Sequence, residues 1–160
     1  MISVTHPFPP LYDENSEILI LGSFPSVKSR EMNFFYGHPQ NRFWKVTAKI
    51  FGKKIPENID EKKEFLHSCH IALWDVIASC EIEGSADSSI KNVRANDISV
   101  ILKNTGVEKI FTNGSTAKKY YDRFILPKTG REAILLPSTS PANAAWNTER
   151  LIEEWKSKLL

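Results

Sequence analysis

The side chains most suited to chemistry in this sequence are aromatic rings, amides, hydroxyls and one carboxylate that cluster just after short apolar runs. They are Phe24, Phe34, Phe35, Tyr36, Asn41, Asn113, Asn143, Ser23, Ser138, Ser140 and Asp75. Aromatic faces stack on planar rings, and amides and carboxylates pair with hydrogen-bonding edges. This combination is typical of a pocket for a flat heterocycle.

Several well-known catalytic motifs are missing from the sequence. It contains no GxSxG nucleophile elbow, no P-loop and no HExxH zinc motif, and the turn at Gly22 lacks the GxGxxG pattern of dinucleotide sites. Its two cysteines, Cys69 and Cys80, lie outside any CxxC pair, which argues against a zinc or iron–sulfur site. We therefore expect no metal, no cofactor, and two reduced thiols of the kind usual in cytoplasmic proteins.

Length and composition indicate a single domain over residues 1–160, of which 1–16 form an N-terminal arm. The 160 residues are 41% hydrophobic and 25% charged, as expected of a folded domain rather than a disordered chain. A net charge of +2 permits an acidic partner without requiring one. The start, MISVTHPFPPLYDEN, has no signal-peptide pattern, and no apolar run approaches the roughly 20 residues that span a bilayer.

Apolar periodicity places the candidate residues on alternating strands and helices. It predicts strands at Ile18–Leu21, Ile71–Trp74, Val107–Phe111 and Ala133–Leu136. It predicts helices from Pro39 to Gly52, from Asp60 to His67, between Asp97 and Gly106, from Ser115 to Phe124, and from Asn147 or Thr148 onward. Two stretches are predicted without regular structure: the long loop Ser23–Pro39, and Ala78–Asn92, which is polar and has no clear period.

Strands that alternate with helices predict an α/β fold, a three-layer α/β/α sandwich around a short, mainly parallel four-stranded sheet. The carboxyl ends of parallel strands meet at one edge, where ligands bind in such folds. That edge would collect Gly22–Pro25, Trp74–Asp75, Thr112–Ser115 and Pro137–Pro141. The sequence thus predicts one mouth that carries most of the small hydroxyl and amide side chains.

Four segments resemble the motifs of one enzyme superfamily. Residues 36–46, YGHPQNRFWKV, resemble the HPxNxFWK segment of the mismatch-specific uracil/thymine DNA glycosylases. GSFP at 22–25 resembles the first motif of the uracil-DNA glycosylase superfamily, and LPSTSPAN at 136–143 resembles the second, the Ser-Pro loop that enters the DNA. Together with LWDV and GSxDSxI between Leu73 and Ile90, they most resemble the hypoxanthine-DNA glycosylase (DNA-deoxyinosine glycosylase) branch, over about residues 17–158.

The resemblance implies a monofunctional glycosylase of base excision repair that hydrolyses an N-glycosidic bond without a metal. The target nucleotide is flipped into the pocket, and an oxocarbenium-like transition state sends negative charge into the departing base. Many relatives hold the attacking water with an Asp or Asn in the first motif, where this chain has Phe24. The branch implies that Asn41 orients the water instead, and that Ser138 donates to the base or to its developing charge.

The same resemblance implies roles for the other pocket residues. Tyr36 corresponds to the aromatic residue that stacks on the flipped base, and Asp75 lies where uracil-specific relatives place a base-reading Asn. Because a carboxylate only accepts hydrogen bonds, Asp75 would accept one from the ring N–H of hypoxanthine and repel the acceptor N1 of adenine. The expected substrate-binding set is completed by Gly22, Ser23, Phe24 and Asn113.

The expected partner is DNA that contains a damaged base. The DNA-binding residues would be Ser140, Pro141, Ala142, Asn143, Lys28 and Arg30. Ser140 and Pro141 would pinch the DNA backbone, and the next two residues would fill the space that the flipped base leaves. Arg42, Lys45, Lys118 and Lys119 are further candidates for phosphate contacts, although each alone is also typical of a solvated charge. We expect a monomer without membrane association, in a bacterial or archaeal cytosol near the nucleoid.

Three other interpretations stay open at this point. The HPQNRFWKV segment alone favours the same chemistry on uracil or thymine in mismatches, although Phe24 and Ser138 favour hypoxanthine. The lack of an Asp or Asn at position 24 also fits a non-catalytic nucleic-acid binder. Hydrolysis of free nucleosides is disfavoured, because a free nucleotide needs no inserting loop.

Overall fold

The computed structural model describes residues 2–160, in which strands and helices alternate. The strands are β1 (Ile2–Thr5), β2 (Ile18–Gly22), β3 (Ile71–Asp75), β4 (Ile77–Ile82), β5 (Lys91–Ala95), β6 (Lys109–Asn113) and β7 (Ala133–Leu136). The α-helices are α1 (Val27–Met32), α2 (Phe43–Phe51), α3 (Ile59–Ser68), α4 (Ser99–Asn104), α5 (Ser115–Tyr120), α6 (Leu126–Thr129) and α7 (Thr148–Leu159). A 3₁₀ turn spans Asp87–Ser89, and a π-helical segment spans Tyr121–Ile125.

The central sheet has the strand order β3-β2-β6-β7, and all of its neighbouring strands are parallel. Successive strand residues point to opposite faces. Ile20 accordingly packs in a cluster with α2, α3 and α7, whereas Leu19 and Leu21 pack in a second cluster with α4 and α5. Both faces of the sheet are therefore covered by helices, which confirms the predicted three-layer α/β/α arrangement around four parallel strands.

A second, antiparallel sheet with the order β1-β4-β5 was not predicted. The prediction that Ala78–Asn92 lacks regular structure is wrong, because most of β4 and the start of β5 lie there. The residues expected to form a simple arm supply β1, which pairs with β4 from Ile2↔Ile82 to Thr5↔Ser79. Register shifts between β4 and β5 break the alternation of buried and exposed residues, so no period of two was visible in the sequence.

The helix boundaries differ from prediction at two places that matter for the site. The loop 23–39 contains α1, whose N-cap Ser26 accepts a hydrogen bond from Ser29 N. Pro39 lies in a turn rather than in a helix. Helix α2 begins at Phe43, because the side chain of Asn41 accepts a hydrogen bond from Phe43 N (2.9 Å) and starts the helix there.

Two further predictions are shifted along the chain. The third strand of the sheet lies two residues later than predicted, so that Asn113 rather than Phe111 ends β6 at the mouth. The helix predicted at Ser115–Phe124 ends its α-helical part at Tyr120 and continues as the π-helical segment and α6. Over residues 2–160, no helix is both long enough and apolar enough to cross a membrane.

Candidate functional site

A cavity of about 610 Å³ opens at the carboxyl ends of β2, β3 and β6. Most of the predicted site residues line it, namely Gly22, Ser23, Phe24, Tyr36, Asn41, Asp75, Asn113, Ser138, Ser140, Pro141 and Ala142. Asn143 instead lines an adjoining cavity of about 560 Å³, which shares Asn113, Ser138 and Ser140 with the first. The fold thus brings residues of all four sequence motifs to one mouth, as expected for the carboxyl edge of a parallel sheet.

Thr139 is fully buried and joins two of the predicted site residues. Its backbone N–H donates to Asn113 Oδ1 (3.0 Å), and Asn113 Nδ2 donates back to Thr139 Oγ1 (3.0 Å). The Thr139 hydroxyl in turn donates to Asn41 Oδ1 (2.8 Å). Sequence reasoning gave Thr139 no role, although it lies inside the LPSTSPAN segment.

This network fixes the orientation of the Asn41 amide. Asn41 Oδ1 accepts from Thr139 Oγ1 and from Phe43 N, so both of its lone pairs are engaged. A backbone N–H can only donate, and therefore the oxygen rather than the nitrogen must face Phe43. Asn41 consequently turns Nδ2, a hydrogen-bond donor, to the cavity that it lines.

Asp75 forms the deep end of the cavity and is 4% exposed. Its Oδ2 lies 2.7 Å from His6 Nε2, which comes from the residue directly after β1. Its Oδ1 faces Gly22, where a Cβ would lie only 2.4 Å from that oxygen. Glycine at position 22 therefore leaves room for the carboxylate, and one carboxylate oxygen stays available as an acceptor.

Tyr36 supplies a hydroxyl beside this carboxylate. Tyr36 Oη is buried, has no hydrogen-bond partner among residues 2–160, and lies 3.2 Å from the same Cβ position on Gly22. Burial, and then the negative charge of Asp75, raise the pKa of Tyr36 well above its ordinary value, although the nearby Asn113 side chain acts in the opposite direction. The hydroxyl therefore keeps its proton and is a donor. Its ring stacks on Phe43, with the centroids 4.2 Å apart.

Ser138 presents a second donor at the rim. Its Oγ accepts a hydrogen bond from Ser140 N (3.1 Å), which leaves the hydroxyl hydrogen to donate. Gly114 packs against this side chain, because a Cβ there would lie 3.1 Å from Ser138 Cβ. Gly114 also has a φ of 99°, a conformation that favours glycine. The tight turn after β6 thus supports the serine.

Arg42 holds the loop 137–146 instead of pointing toward solvent. Its guanidinium donates to the carbonyl oxygens of Ser140 (2.8 Å), Asn143 (3.2 Å), Thr139 (3.4 Å) and Trp146. Five fixed donors suit such a cluster of carbonyls. These carbonyl oxygens already engage the side chain, which favours a bracing role for Arg42 over the phosphate contact for which the sequence made it a candidate.

The remaining predicted DNA-binding residues are either exposed to solvent or held by hydrogen bonds within the protein. Pro141 and Ala142 are exposed at the rim, whereas the side chain of Asn143 donates to Ser138 O (3.0 Å) and braces the loop. The ammonium of Lys28 is largely exposed and lies 3.9 Å from Glu31. Arg30 donates to Gly84 O (2.8 Å) and lies over the ring of Phe24.

Asp87 is a second carboxylate of the cavity, and sequence reasoning assigned it no role although it lies within GSxDSxI. It comes from the 3₁₀ turn and accepts a hydrogen bond from Ser23 Oγ (3.2 Å). Burial raises the pKa of Asp87, partly offset by its hydrogen bonds with Ser23 and Thr116. In the described chain, no three His, Cys, Asp or Glu side chains are grouped so that they could hold a metal ion.

Comparison with known proteins identifies the family of the chain. The family model described as "Uracil DNA glycosylase superfamily" matches residues 9–160. The chain belongs to the uracil DNA glycosylase superfamily. The match includes every motif that lines the cavity, and the resemblance read from the sequence is thereby confirmed at the level of the superfamily.

Individual relatives of this superfamily cover nearly the whole chain. A protein of Methanosarcina acetivorans named "Hypoxanthine DNA glycosylase" is 38% identical over 152 residues, which are 94% of each chain. A protein of Methanosarcina barkeri with the same name is 39% identical over 139 residues, 85% of this chain and 86% of its own length. A solution NMR structure of a candidate uracil DNA glycosylase from Methanosarcina acetivorans matches with a TM-score of 0.83 at 34% identity, covering 99% of this chain and 97% of the other.

Proposed function

We propose that this protein is a monofunctional DNA glycosylase that hydrolyses the N-glycosidic bond of deoxyinosine and releases hypoxanthine for base excision repair. The observation that carries the proposal is the pair of groups at the deep end of the cavity. A carboxylate oxygen of Asp75 and the unpartnered hydroxyl of Tyr36 both lie within 3.2 Å of one point above Gly22. Two relatives that cover most of the chain carry the name of this activity.

Asp75 and Tyr36 are complementary to the hydrogen-bonding edge of hypoxanthine, the base that forms when adenine is deaminated. Hypoxanthine presents a carbonyl oxygen and an adjacent N1–H, whereas adenine presents an amino group and an acceptor N1 at those positions. Tyr36 would donate to the carbonyl oxygen, and Asp75 would accept from N1–H. In adenine, the amino group would face the donor hydroxyl of Tyr36, and the lone pair of N1 would face the acceptor oxygen of Asp75. A buried polar group that loses its partner costs about 1–3 kcal/mol, so the mismatched base is rejected.

Tyr36 then has a different role from the stacking predicted for it. Phe43 covers one face of its ring, and its buried hydroxyl lies beside Gly22, one of the residues that line the cavity. Phe24 lies on the cavity wall and is 8% exposed. We propose that Phe24 supplies an apolar surface to the base, and that Gly22, Ser23 and Asn113 complete the substrate-binding set.

The hydrolysis needs a placed water and a stabilised leaving group. The bond between C1′ and the base nitrogen breaks, its electron pair leaves with the base, and the water oxygen bonds to C1′. One water proton is lost, and the base takes up a proton. Asn41 would orient the water by donating from Nδ2 to one lone pair, which leaves the other for C1′. Ser138 would donate to the base as negative charge develops on it.

The rim of the cavity is suited to duplex DNA from which one nucleotide has been flipped. Pro141 and Ala142 are exposed there and would enter the space of the flipped base, with Ser140 against the backbone. Asn143 would act by bracing this loop, and Lys28 and Arg30 would lie on the phosphate side. We further propose that the protein acts as a monomer in the cytoplasm, because one chain supplies every group named above.

Uracil in mismatches is the second candidate substrate. Its carbonyl oxygen and N3–H present the same acceptor and donor as hypoxanthine, so Asp75 and Tyr36 fit it as well. The family description and the fold neighbour also carry the word uracil. The two relatives named for hypoxanthine favour the purine.

A cleavage assay with defined lesions separates these functions. End-labelled duplexes that carry one deoxyinosine, uracil or xanthine are incubated with the protein, treated with alkali, and resolved on a gel. Cleavage chiefly at deoxyinosine, lost in Asn41→Ala, supports the proposal. Cleavage chiefly at uracil keeps the glycosylase and refutes the base assignment. Binding without an abasic product at any lesion would identify a non-catalytic DNA binder.

A further inference from the structure

His6 lies directly after β1, in a segment without any recognised motif, and its side chain is 4% exposed. Four aromatic rings surround the imidazole, with centroid distances of 4.5 Å to Phe8, 6.0 Å to Phe24, 6.3 Å to Phe35 and 6.5 Å to Trp74. Such packing restricts the ring to one orientation. A buried histidine that does not line the cavity but reaches Asp75 calls for a functional explanation.

The hydrogen bonds of His6 define which nitrogen carries the proton. The backbone N–H of Phe8 points to Nδ1, which therefore acts as the acceptor (3.5 Å). Nε2 is then the N–H that donates to Asp75 Oδ2 (2.7 Å). Asp75 is held at two further points, because β2 and β3 pair Gly22 with Asp75 and because Asn96 Nδ2 donates to Asp75 O (2.8 Å).

The two carboxylate oxygens of Asp75 therefore have different surroundings. Oδ2 is engaged by His6, and Oδ1 alone remains at the cavity beside Gly22. A carboxylate with this burial is unfavourable without a partner, because burial disfavours the charged form of an acid. The imidazole N–H supplies that partner from outside the cavity, so that the substrate side stays free.

We infer that His6 is a positioning residue for lesion recognition: it holds Oδ2 of Asp75 and thereby aims Oδ1 at the ring N–H of the deaminated base. The inference rests on the proposed function, since it concerns how that site distinguishes bases. Without the imidazole, Oδ2 loses the donor that engages it, and the carboxylate can turn away from the base. Oδ1 then accepts less well from N1–H of hypoxanthine, so the discrimination between hypoxanthine and adenine falls.

Three titratable groups face Asp75 and belong to different segments. They are His6 after β1, Tyr36 in the turn before α2, and Asp87 in the 3₁₀ turn. Burial raises the pKa of Tyr36, so its hydroxyl stays neutral, and Asp87 is a like charge. Among these groups, His6 is therefore the one whose side chain donates a hydrogen bond to the carboxylate of Asp75.

The test measures base recognition separately from bond cleavage. Equilibrium dissociation constants are determined for duplexes that carry 2′-fluoro-deoxyinosine or 2′-fluoro-deoxyadenosine, which resist hydrolysis. His6→Phe keeps the aromatic packing and removes the donor, and His6→Gln keeps an N–H donor. We expect His6→Phe to reduce the preference for the inosine duplex about ten-fold, and His6→Gln to restore part of it.

A second histidine–aspartate pair provides the matched control. His67 Nδ1 lies 3.1 Å from Asp13 Oδ2, and neither residue lines the cavity. We expect His67→Phe to keep the wild-type preference and to bind both duplexes as the wild type does. Thermal unfolding of each variant shows whether it is folded at the temperature of the binding assay.

The results separate this inference from the proposed function. If the wild type prefers inosine and folded His6→Phe keeps that preference, the inference is wrong and the proposed function stands. If the wild type prefers uracil to inosine, the proposed base is wrong, and the same variants are compared on 2′-fluoro-deoxyuridine and 2′-fluoro-deoxycytidine duplexes. A wild type without any preference contradicts both. Equal affinity losses for both duplexes in His6→Phe would mean a purely structural role and would overturn the inference.

Discussion

The hydroxyl of Thr139 donates to Oδ1 of Asn41 at 2.8 Å and ties the loop after β7 to the turn before α2. We expect Thr139→Val to lower the single-turnover rate of hypoxanthine excision about ten-fold, because Asn41 Oδ1 then keeps only the hydrogen bond from Phe43 N and the amide is held less firmly against the water. The variant should also lose about 1–3 kcal/mol of unfolding free energy, since buried amide groups lose their partner. Thr139→Ser keeps the hydroxyl and should retain most of the rate. Equal loss in both variants would show that the hydroxyl alone does not account for the effect and would contradict the prediction.

A substitution at Arg42 tests whether the conformation of the loop 137–146 depends on the guanidinium that binds its carbonyl oxygens. Arg42→Lys keeps the charge but cannot serve several carbonyl oxygens at once, so we expect faster amide exchange in 140–146 and about ten-fold slower excision. The salt dependence of DNA binding should not change, because Arg42 is engaged with carbonyl oxygens. A slope lower by about one unit would instead reveal a phosphate contact. The exposed Arg94 provides the control as Arg94→Lys.

A substitution at Gly22 tests how much space is needed by Asp75 and Tyr36, the two groups that we propose contact the base. In Gly22→Ala, the new Cβ would lie 2.4 Å from Asp75 Oδ1 and 3.2 Å from Tyr36 Oη, so both groups must move. We expect a loss of excision of more than ten-fold, with a loss of unfolding free energy of about 1–3 kcal/mol. Gly106→Ala meets no atom within 4 Å and should leave the rate unchanged. Wild-type activity in Gly22→Ala would show that the base does not reach this depth.

The raised pKa of Asp87 predicts how the free energy of unfolding depends on pH. Burial raises the pKa of Asp87 in the folded protein, so the folded state binds the proton more tightly than the unfolded state does. Its contribution to stability is present below the unfolded pKa of about 3.9 and is lost as the pH rises through the folded value. Asp87 is also partly open to solvent, which screens this effect. Asp87→Asn should therefore be slightly more stable than the wild type at neutral pH, and this small advantage should disappear toward pH 4.

Asp97 provides a control of opposite sign for this measurement. Hydrogen bonds from the backbone and side chain of Ser99 lower the pKa of Asp97, so its ionised form favours folding. Its contribution is present above the unfolded pKa and is lost as the pH falls through the folded value. Asp97→Asn should be less stable than the wild type at neutral pH. Thermal unfolding of the wild type and both variants is measured between pH 4 and about 8. If Asp87→Asn and Asp97→Asn changed the stability at neutral pH in the same direction, the opposite pKa shifts assigned to the two carboxyl groups would be contradicted.

The sequence predicted those parts of the site that local pattern determines. Apolar runs indicated the four parallel strands, and the polar residues after them indicated Asp75 and Asn113 at one mouth. The contact between His6 and Asp75 joins residues 69 positions apart and depends on the pairing of β1 with β4, which has no clear period. The reach of Arg42 to the loop was equally hidden, because a lone arginine is typical of a solvated surface.

The most direct test of the central claim is a competition for excision. One duplex that carries deoxyinosine and another that carries deoxyuridine are mixed in equal amounts with limiting protein, and the released bases are measured by mass spectrometry. The proposed function predicts that free hypoxanthine appears first and in excess, and that Asp75→Ala lowers the release of both bases, since Asp75 would accept from the ring N–H of either one. Release of mainly uracil, or of neither base while both duplexes are bound, would contradict it.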